Sequence, residues 1–139
     1  MNDRIRNLGL IYFPISLTIL VILTYTGVIQ NYICGMAVLI MGYGDGLAAV
    51  FGMKFGKKKI FGMKSYVGSV AMFFTSLIVM ILFSNYYNLG YTNSAKSFAI
   101  TLLIALAVTV IEIFTPLGLD NITVPLSSAF LLHFSTSSL

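Results

Sequence analysis

Residues 32–51 read YICGMAVLIMGYGDGLAAVF, and Asp45 is the one charged residue among them. A helix needs about 20 mostly apolar residues to cross the roughly 30 Å hydrocarbon core of a bilayer. This stretch has that length and composition, so we predict a membrane-spanning helix. A carboxylate inside such a helix is costly and usually faces a polar cavity or a charged partner. Asp45 is therefore the first candidate for a functional residue.

The same apolar character extends over the whole chain of 139 residues, of which 58% are hydrophobic and 9% are charged. Apolar segments lie at about 8–29, 32–51, 66–84, 97–114 and 122–134. They predict an all-α fold, a multi-pass transmembrane helical bundle of about five spans, with residues 1–139 forming a single membrane domain. The fifth segment is short, and its sequence leaves open a tilted span or an interfacial helix.

Lysines are concentrated in the connection 52–65, whereas residues 85–96 carry only Lys96. Short loops rich in Lys and Arg remain cytoplasmic, so we expect the 52–65 loop on that side. Counting two spans back places Arg4 and Arg6 there as well. The tyrosines expected at the outer interface are then Tyr25, Tyr32, Tyr86, Tyr87 and Tyr91.

This orientation brings three acids, Asp45, Glu112 and Asp120, to the face of the lysine loop. Helix periodicity places Asp45 on a face of small residues, which is also typical of a packing seam. The small residues of this face are Gly42, Ala49, Gly52 and, if the helix runs that far, Gly56. Carboxylates and lysines are thus predicted to converge at one face.

The other two acids have structural alternatives as well. Glu112 shares a helical face with Thr101, Ala105 and Thr109, while Ile104 is expected to point elsewhere. Its alternative role is a snorkelling acid or a structural partner of one lysine. Asp120 or Asn121 can cap the fifth helix by accepting backbone N–H bonds.

The basic loop has the parts of an anion site. Positive charge comes from four lysines, Lys57, Lys58, Lys59 and Lys64, and glycines at 52, 56 and 62 let a ligand approach the backbone closely. Ser65 is expected to cap the third helix, whose positive dipole end then faces the same region. The alternative is a topology signal that also binds anionic membrane lipids. Together with the carboxylates, these groups are typical of a site for a metal-bound polyphosphate.

Composition excludes two other classes of site. The net charge of +4 comes from local clusters and no nucleic-acid motif is present, so no nucleic-acid partner is expected. Cys34 is the only cysteine in the sequence. Intrachain disulfides and cysteine-based metal centres are therefore ruled out.

Two ordered blocks of sequence carry a more specific signal. The first block reads Gly44-Asp45-Gly46-Leu47-Ala48, then Gly52-x-x-x-Gly56-Lys57, then Lys64-Ser65-x-x-Gly68-Ser69. The second has Glu112, followed by Gly118-Leu119-Asp120-Asn121-Ile122-Thr123-x-Pro125. With these blocks the chain resembles the polyprenol kinase family of phytol, farnesol and dolichol kinases, over about residues 8–134.

The resemblance implies an enzyme that transfers the γ-phosphoryl group of CTP to the hydroxyl of a long-chain lipid alcohol, a prenol such as phytol, farnesol or dolichol, with Mg²⁺ as cofactor. Carried over by position, Asp45 and Asp120 would be metal ligands, and together with Glu112 they would be the catalytic residues. The implied nucleotide- and phosphate-binding residues are Lys57, Lys64, Ser65, Gly68, Ser69, Gly52, Gly56 and Asn121.

The chain departs from the family pattern at Val67, where relatives often carry Glu, and we expect it to lack the N-terminal helices of many relatives.

The enzymatic alternatives are a CTP-dependent diacylglycerol kinase and a phosphatidate cytidylyltransferase-like enzyme. An alternative of another class is a non-catalytic membrane subunit or small transporter, with Asp45 and Glu112 on an ion pathway. The sequence leaves open a homo-oligomer or a partner chain.

Overall fold

The computed structural model describes residues 3–62, 64–116 and 118–136, with residues 3–8 and 61 described by their backbone alone. Five helices and one short hairpin occur in this part of the chain. They are α1 (Asp3–Tyr25), α2 (Asn31–Phe55), β1 (Lys59–Phe61), β2 (Lys64–Ser65), α3 (Tyr66–Tyr87), α4 (Ala95–Phe114) and α5 (Asp120–Thr136). The predicted all-α fold is confirmed. The side chains of Arg4 and Arg6, which were assigned to the face of the lysine loop, lie outside the described residues.

The helices have the character of a membrane bundle. By length and composition, α2, α3 and α4 can each cross a membrane, whereas the apolar part of α1 is shorter, Gly9–Tyr25, and α5 has 17 residues. One outward-facing stripe of α3 consists of Val70, Phe74, Ile78 and Leu82, all exposed. A contiguous stripe of exposed apolar side chains is unfavourable in water, and the hydrocarbon of a bilayer is the solvent that this surface fits.

Helix ends differ from the predicted segments for local reasons. Helix α1 ends at Tyr25, before the predicted residue 29, because Gly27 adopts a left-handed conformation with a φ of 76°. Helix α2 continues past residue 51 to Phe55. Gly56 is its C-cap, because its N–H still bonds the Gly52 carbonyl at 3.0 Å while its own backbone leaves the helical conformation with a ψ of 65°. The hairpin after it pairs Lys59 with Ser65 in antiparallel register; it was not predicted.

Helix α2 lies at the centre of the bundle, in contact with α1, α3 and α5. Its closest approach to α3 follows Gly44, Ala48 and Gly52, which recur every four residues and are all buried. The predicted small-residue face is therefore shifted, because Gly42 and Ala49 are exposed. The core that α2 shares with the other helices includes Ile33, Met36, Ile40, Met72, Met80, Val108, Val124 and Leu132.

Helix α4 buries the predicted face of Thr101, Ala105, Thr109 and Glu112. Ile104 is also buried, with 5% of its surface exposed, which corrects its expected outward position. The reason is that α4 packs against α3 on one side and α5 on another, so its buried stripe is wider than one row of residues.

Tyrosines collect at the end of the bundle where α1 and α3 finish. Tyr25, Tyr86 and Tyr87 are exposed there, in agreement with an interface position. Tyr91 is fully buried instead, and its hydroxyl lies 3.1 Å from Ser135 Oγ. The expectation of an interface role was wrong for Tyr91, because this ring fastens the α3–α4 connection to α5.

The close contact between α2 and α3 gives a first prediction. A Cβ atom on Gly68 would lie 2.8 Å from the backbone oxygen of Ala48, so Gly68→Ala forces the two helices apart. Overpacking of this kind costs about 1–3 kcal/mol of unfolding free energy. Gly42→Ala is the matched control, since no atom lies within 4 Å of its added Cβ, and higher helix propensity makes it stabilising by up to about 1 kcal/mol. Thermal unfolding in detergent should separate the two variants, and equal midpoints would contradict this packing.

Candidate active site

A cavity of about 560 Å³ opens at the end of the bundle opposite the exposed tyrosines. It is lined by the start of α1, the end of α2, the hairpin, the start of α3, the end of α4 and the start of α5. Its walls include Gly9, Leu10, Phe13, Asp45, Ala48, Ala49, Gly52, Met53, Lys59, Lys64, Ser65, Gly68, Ser69, Glu112, Gly118, Asp120 and Asn121. The predicted convergence of the acids with the lysine loop is confirmed.

Lys64 stands between two acids inside this cavity. Its ammonium group donates to Glu112 Oε1 and, at 2.8 Å, to Asp120 Oδ2. Only 12% of the Lys64 side chain is exposed, compared with 2% for Glu112 and 6% for Asp120. Burial by itself would lower the pKa of Lys64, but hydrogen bonds and charge from Asp120 and Glu112 outweigh it and raise the pKa above its usual value. The ammonium is therefore charged throughout the physiological pH range.

Asp120 is held in place by the turn that contains it. It is the first residue of α5, and its Oδ1 accepts the backbone N–H of Gly118 at 3.0 Å and of Asn121 at 3.1 Å. The second oxygen is thereby directed to Lys64. The two roles considered for Asp120, holding the helix start and belonging to the site, are performed by different oxygens of one carboxylate.

Asn121 connects α5 to α1. Its side-chain amide donates to the backbone oxygen of Gly9 at 3.1 Å. A Cβ on Gly9 would lie 2.7 Å from this amide nitrogen, so glycine is what allows the contact. Asn121 lines the cavity as predicted, and the structure gives it a positioning role at the α1 wall.

The start of α3 faces the cavity with Ser65, Gly68 and Ser69. Ser65 is the predicted N-cap, because its hydroxyl accepts the Gly68 N–H at 3.2 Å. Ser69 is 7% exposed, and its hydroxyl has no hydrogen-bond partner among the described residues. The first turn of a helix carries unpaired N–H groups and positive dipole character, which favour an anion. A polar ligand in the cavity would therefore find donors here.

Two of the predicted glycines have a packing reason. A Cβ on Gly52 would lie 2.9 Å from Ser65 Oγ, and one on Gly56 would lie 2.4 Å from the same atom. Both glycines therefore make room for the cap of α3. Gly52 also lines the cavity, whereas Gly56 is not among the lining residues.

The two lysines of the loop that differ most from expectation are Lys57 and Lys59. Lys57 is exposed just after α2 and is not part of the cavity wall. Lys59 lines the cavity, because the hairpin sets it opposite Ser65. In the sequence Lys59 is one of several loop lysines with nothing to distinguish it, and only its pairing with Ser65 in the hairpin selects it.

The three acids form a group that fits a divalent cation. Asp45, Glu112 and Asp120 can each offer one oxygen, and these oxygens lie within 4.8 Å of one another. Glu112 Oε2 is buried and has no hydrogen-bond partner within the described part of the chain, which leaves a ligand atom available. Carboxylate oxygens are the ligands that Mg²⁺ and Ca²⁺ prefer. The three carboxylates are therefore suitable ligands for Mg²⁺. In this structure the Lys64 ammonium is the cation that lies beside two of them.

Fold and site together define a helical membrane protein with three acids, two of them buried, and a lysine at one end of its bundle. The chain is similar to a phytol kinase of Synechocystis, with 37% identity over 99 residues, or 69% of this chain and 41% of that protein. It is 36% identical over 140 residues to a probable chloroplastic phytol kinase of Triticum aestivum, covering 94% and 46% of the two chains. A probable chloroplastic phytol kinase of Oryza sativa subsp. japonica is 33% identical over 127 residues, covering 86% and 40%.

These homologues, which are named phytol kinases, support the polyprenol kinase family that the two sequence blocks predict. The chain spans less than half the length of these curated relatives. No protein-family model matches the sequence, and no solved structure does either.

Proposed function

We propose that this chain is a kinase of lipid alcohols that transfers the γ-phosphoryl group of CTP to the hydroxyl of a prenol such as phytol, farnesol or dolichol. The observation that carries the proposal is the shared cavity, in which Lys64, the α3 N-terminus and three carboxylates meet apolar walls. Phosphoryl transfer depends mainly on positioning and on neutralising phosphate charge, and it needs no covalent nucleophile. The names of the relatives agree with this chemistry.

The proposed phosphate-binding residues lie around the start of α3. Lys59 and Lys64 supply positive charge, and the Ser69 hydroxyl and the first N–H groups of α3 supply hydrogen-bond donors. Lys57 is exposed and does not line the cavity, so it contributes least among the predicted phosphate-binding lysines. We expect the triphosphate to extend from the hairpin toward the acids.

The proposed cation ligands are Asp45, Glu112 and Asp120. Bound Mg²⁺ would neutralise charge on the phosphate oxygens during transfer. Lys64 can turn from the two carboxylates to the phosphates, because the carboxylates then have the metal ion as their counter-ion. Asp45, the acid on α2, would lie beside the acceptor hydroxyl and orient it.

The proposal is tested by giving the chain CTP labelled at the γ-phosphate, Mg²⁺ and a prenol in lipid nanodiscs. Label in the lipid monophosphate is the expected result, with phytol, farnesol and dolichol compared with diacylglycerol as acceptor. Label recovered in pyrophosphate would instead identify a cytidylyltransferase. Folded chain that labels none of these alcohols would contradict a catalytic role and favour a non-catalytic membrane subunit or transporter.

We also propose that the bundle is a multi-pass membrane domain with the 52–65 loop on the cytoplasmic side, where CTP arrives. In a Cys34→Ser background, a single cysteine can be placed at the exposed Lys58 or at the exposed Asn93 on the opposite end. An impermeant maleimide added outside intact cells should label Asn93→Cys at once and Lys58→Cys only after permeabilisation. The reverse pattern would place the site on the wrong side for cytoplasmic CTP.

A further inference from the structure

Most of the carboxylate oxygens of Glu112 and Asp120 already accept a hydrogen bond. Asp120 Oδ1 accepts two backbone N–H groups, and Asp120 Oδ2 accepts the Lys64 ammonium at 2.8 Å. Glu112 Oε1 accepts the same ammonium, whereas Glu112 Oε2 is buried and has no hydrogen-bond partner among the described residues. A divalent cation bound to both acids would therefore find one open oxygen on Glu112, and Asp120 could join it only by giving up a present donor.

The donor that Asp120 can most readily give up is Lys64. The two backbone N–H groups belong to the turn that starts α5, whereas the ammonium lies at the end of a flexible four-carbon stem. Only 12% of the Lys64 side chain is exposed, so an ammonium that left both acids without a new counter-ion would be a buried, uncompensated charge. Lys64 therefore competes with any cation that arrives alone.

A second position for this ammonium lies at the start of α3. Lys64 directly precedes Ser65, the N-cap of that helix, and both residues line the cavity. Ser69 lines it too, and its hydroxyl is buried without a hydrogen-bond partner in the described part of the chain. An unused hydroxyl beside a helix N-terminus fits an anion. An anion bound there would give Lys64 a counter-ion close to its own backbone.

We infer that Lys64 couples the two ligands of the site: it neutralises Glu112 and Asp120 until a polyphosphate binds at the start of α3, and it then turns to the phosphates and frees both acids for the cation. This inference rests on the proposed function, because it takes the acids to be the cation ligands and a nucleotide triphosphate to be the anion. Each ligand alone binds weakly, since it leaves one charged partner of Lys64 uncompensated. The two ligands together bind cooperatively.

The first test measures the binding of Mn²⁺, used in place of Mg²⁺, to the full chain in nanodiscs without nucleotide, by electron paramagnetic resonance of the free ion. Lys64→Met removes the competing ammonium, and the Kd of Mn²⁺ should fall about tenfold or more, because every molecule then has its acids open to the ion. Lys58→Met removes the same charge from an exposed position and should leave the Kd within about twofold. Unchanged or weaker binding in Lys64→Met would overturn the inference, because the lysine would then be holding the acids in place for the ion.

A second measurement uses the wild-type chain, so it does not depend on the folding of Lys64→Met. Acetic anhydride acetylates amines, and an ammonium paired with two carboxylates inside a cavity reacts slowly. Acetylation of Lys64, read by mass spectrometry, should rise severalfold when Mg²⁺ saturates the site and fall again when a non-transferable CTP analogue is added with it. The exposed Lys58 is the internal reference and should react at one rate in all three states. A Lys64 rate that Mg²⁺ leaves unchanged would overturn the inference, because ion and ammonium would then share the acids.

Both measurements are independent of phosphoryl transfer. Release of Lys64 by Mg²⁺ in a chain that labels no lipid would support the inference and contradict the proposed kinase activity. Transfer of label by a chain in which Lys64 stays on the acids would overturn the inference and leave the kinase activity intact.

Discussion

Replacing Lys64 by methionine is expected to destabilise the folded protein by about 3–5 kcal/mol, because it leaves the buried carboxylates of Glu112 and Asp120 without their cation. Thermal unfolding in detergent at pH 7 measures this effect. Lys58→Met, which removes the same charge from an exposed position of the loop, should change the midpoint little. A Lys64→Met protein as stable as the Lys58→Met control would show that the ammonium does not hold the acids together.

A second substitution identifies the cause of that instability. Adding Glu112→Gln to Lys64→Met removes one of the two unpaired charges, so part of the lost stability should return. Divalent cations offer an independent rescue, since ligand binding to the folded state raises its stability. Mg²⁺ should therefore raise the unfolding midpoint of Lys64→Met more than that of the wild-type chain. A double variant no more stable than Lys64→Met would mean that the unpaired charge of Glu112 is not the cause of the instability.

Asp45→Asn is expected to lower kcat about 10²–10³-fold in the labelled-CTP assay, the loss typical of removing one group that stabilises transferred charge. The side chain keeps its size and loses only its charge, and it lies on the cavity wall outside the packed core. The unfolding midpoint should consequently change little. Asp3→Asn removes the same charge from the N-terminal segment and is the matched control. Full activity in Asp45→Asn would remove this residue from the site.

The hydrophobic pattern of the sequence was sufficient to predict the helices, because a bilayer requires a certain length and an apolar surface of each helix that crosses it. The convergence of Asp45, Glu112 and Asp120 with a lysine was predictable for a related reason. Alternating spans bring the end of one helix to the start of the next, so charges at those positions meet. The N-cap at Ser65 also followed from local chemistry, since a serine before an apolar run caps a helix wherever the chain folds.

Features that depend on side-chain contacts between distant segments could not be predicted. The choice of Lys64 among five loop lysines depends on the hairpin, which places Lys64 beside α4 and α5 and leaves Lys57 outside. The sequence does not distinguish Tyr91 from the interfacial tyrosines, because its contact is made with the distant Ser135. The residues of α2 that pack against α3 include Gly44 and Ala48 instead of the predicted Gly42 and Ala49. The rotation of α2 about its own axis that selects them is set by packing against the partner helix.

The pairing of Lys64 with Glu112 and Asp120 also constrains the order in which the protein assembles. The lysine precedes its two partners by 48 and 56 residues, and Asn121 follows Gly9 by 112. Membrane helices insert first and associate afterwards, so Lys64 is synthesised and delivered to the membrane surface before α4 and α5 exist. The charged site can therefore close only after α5 has docked, and a chain that stops after α3 is left with an unpaired lysine.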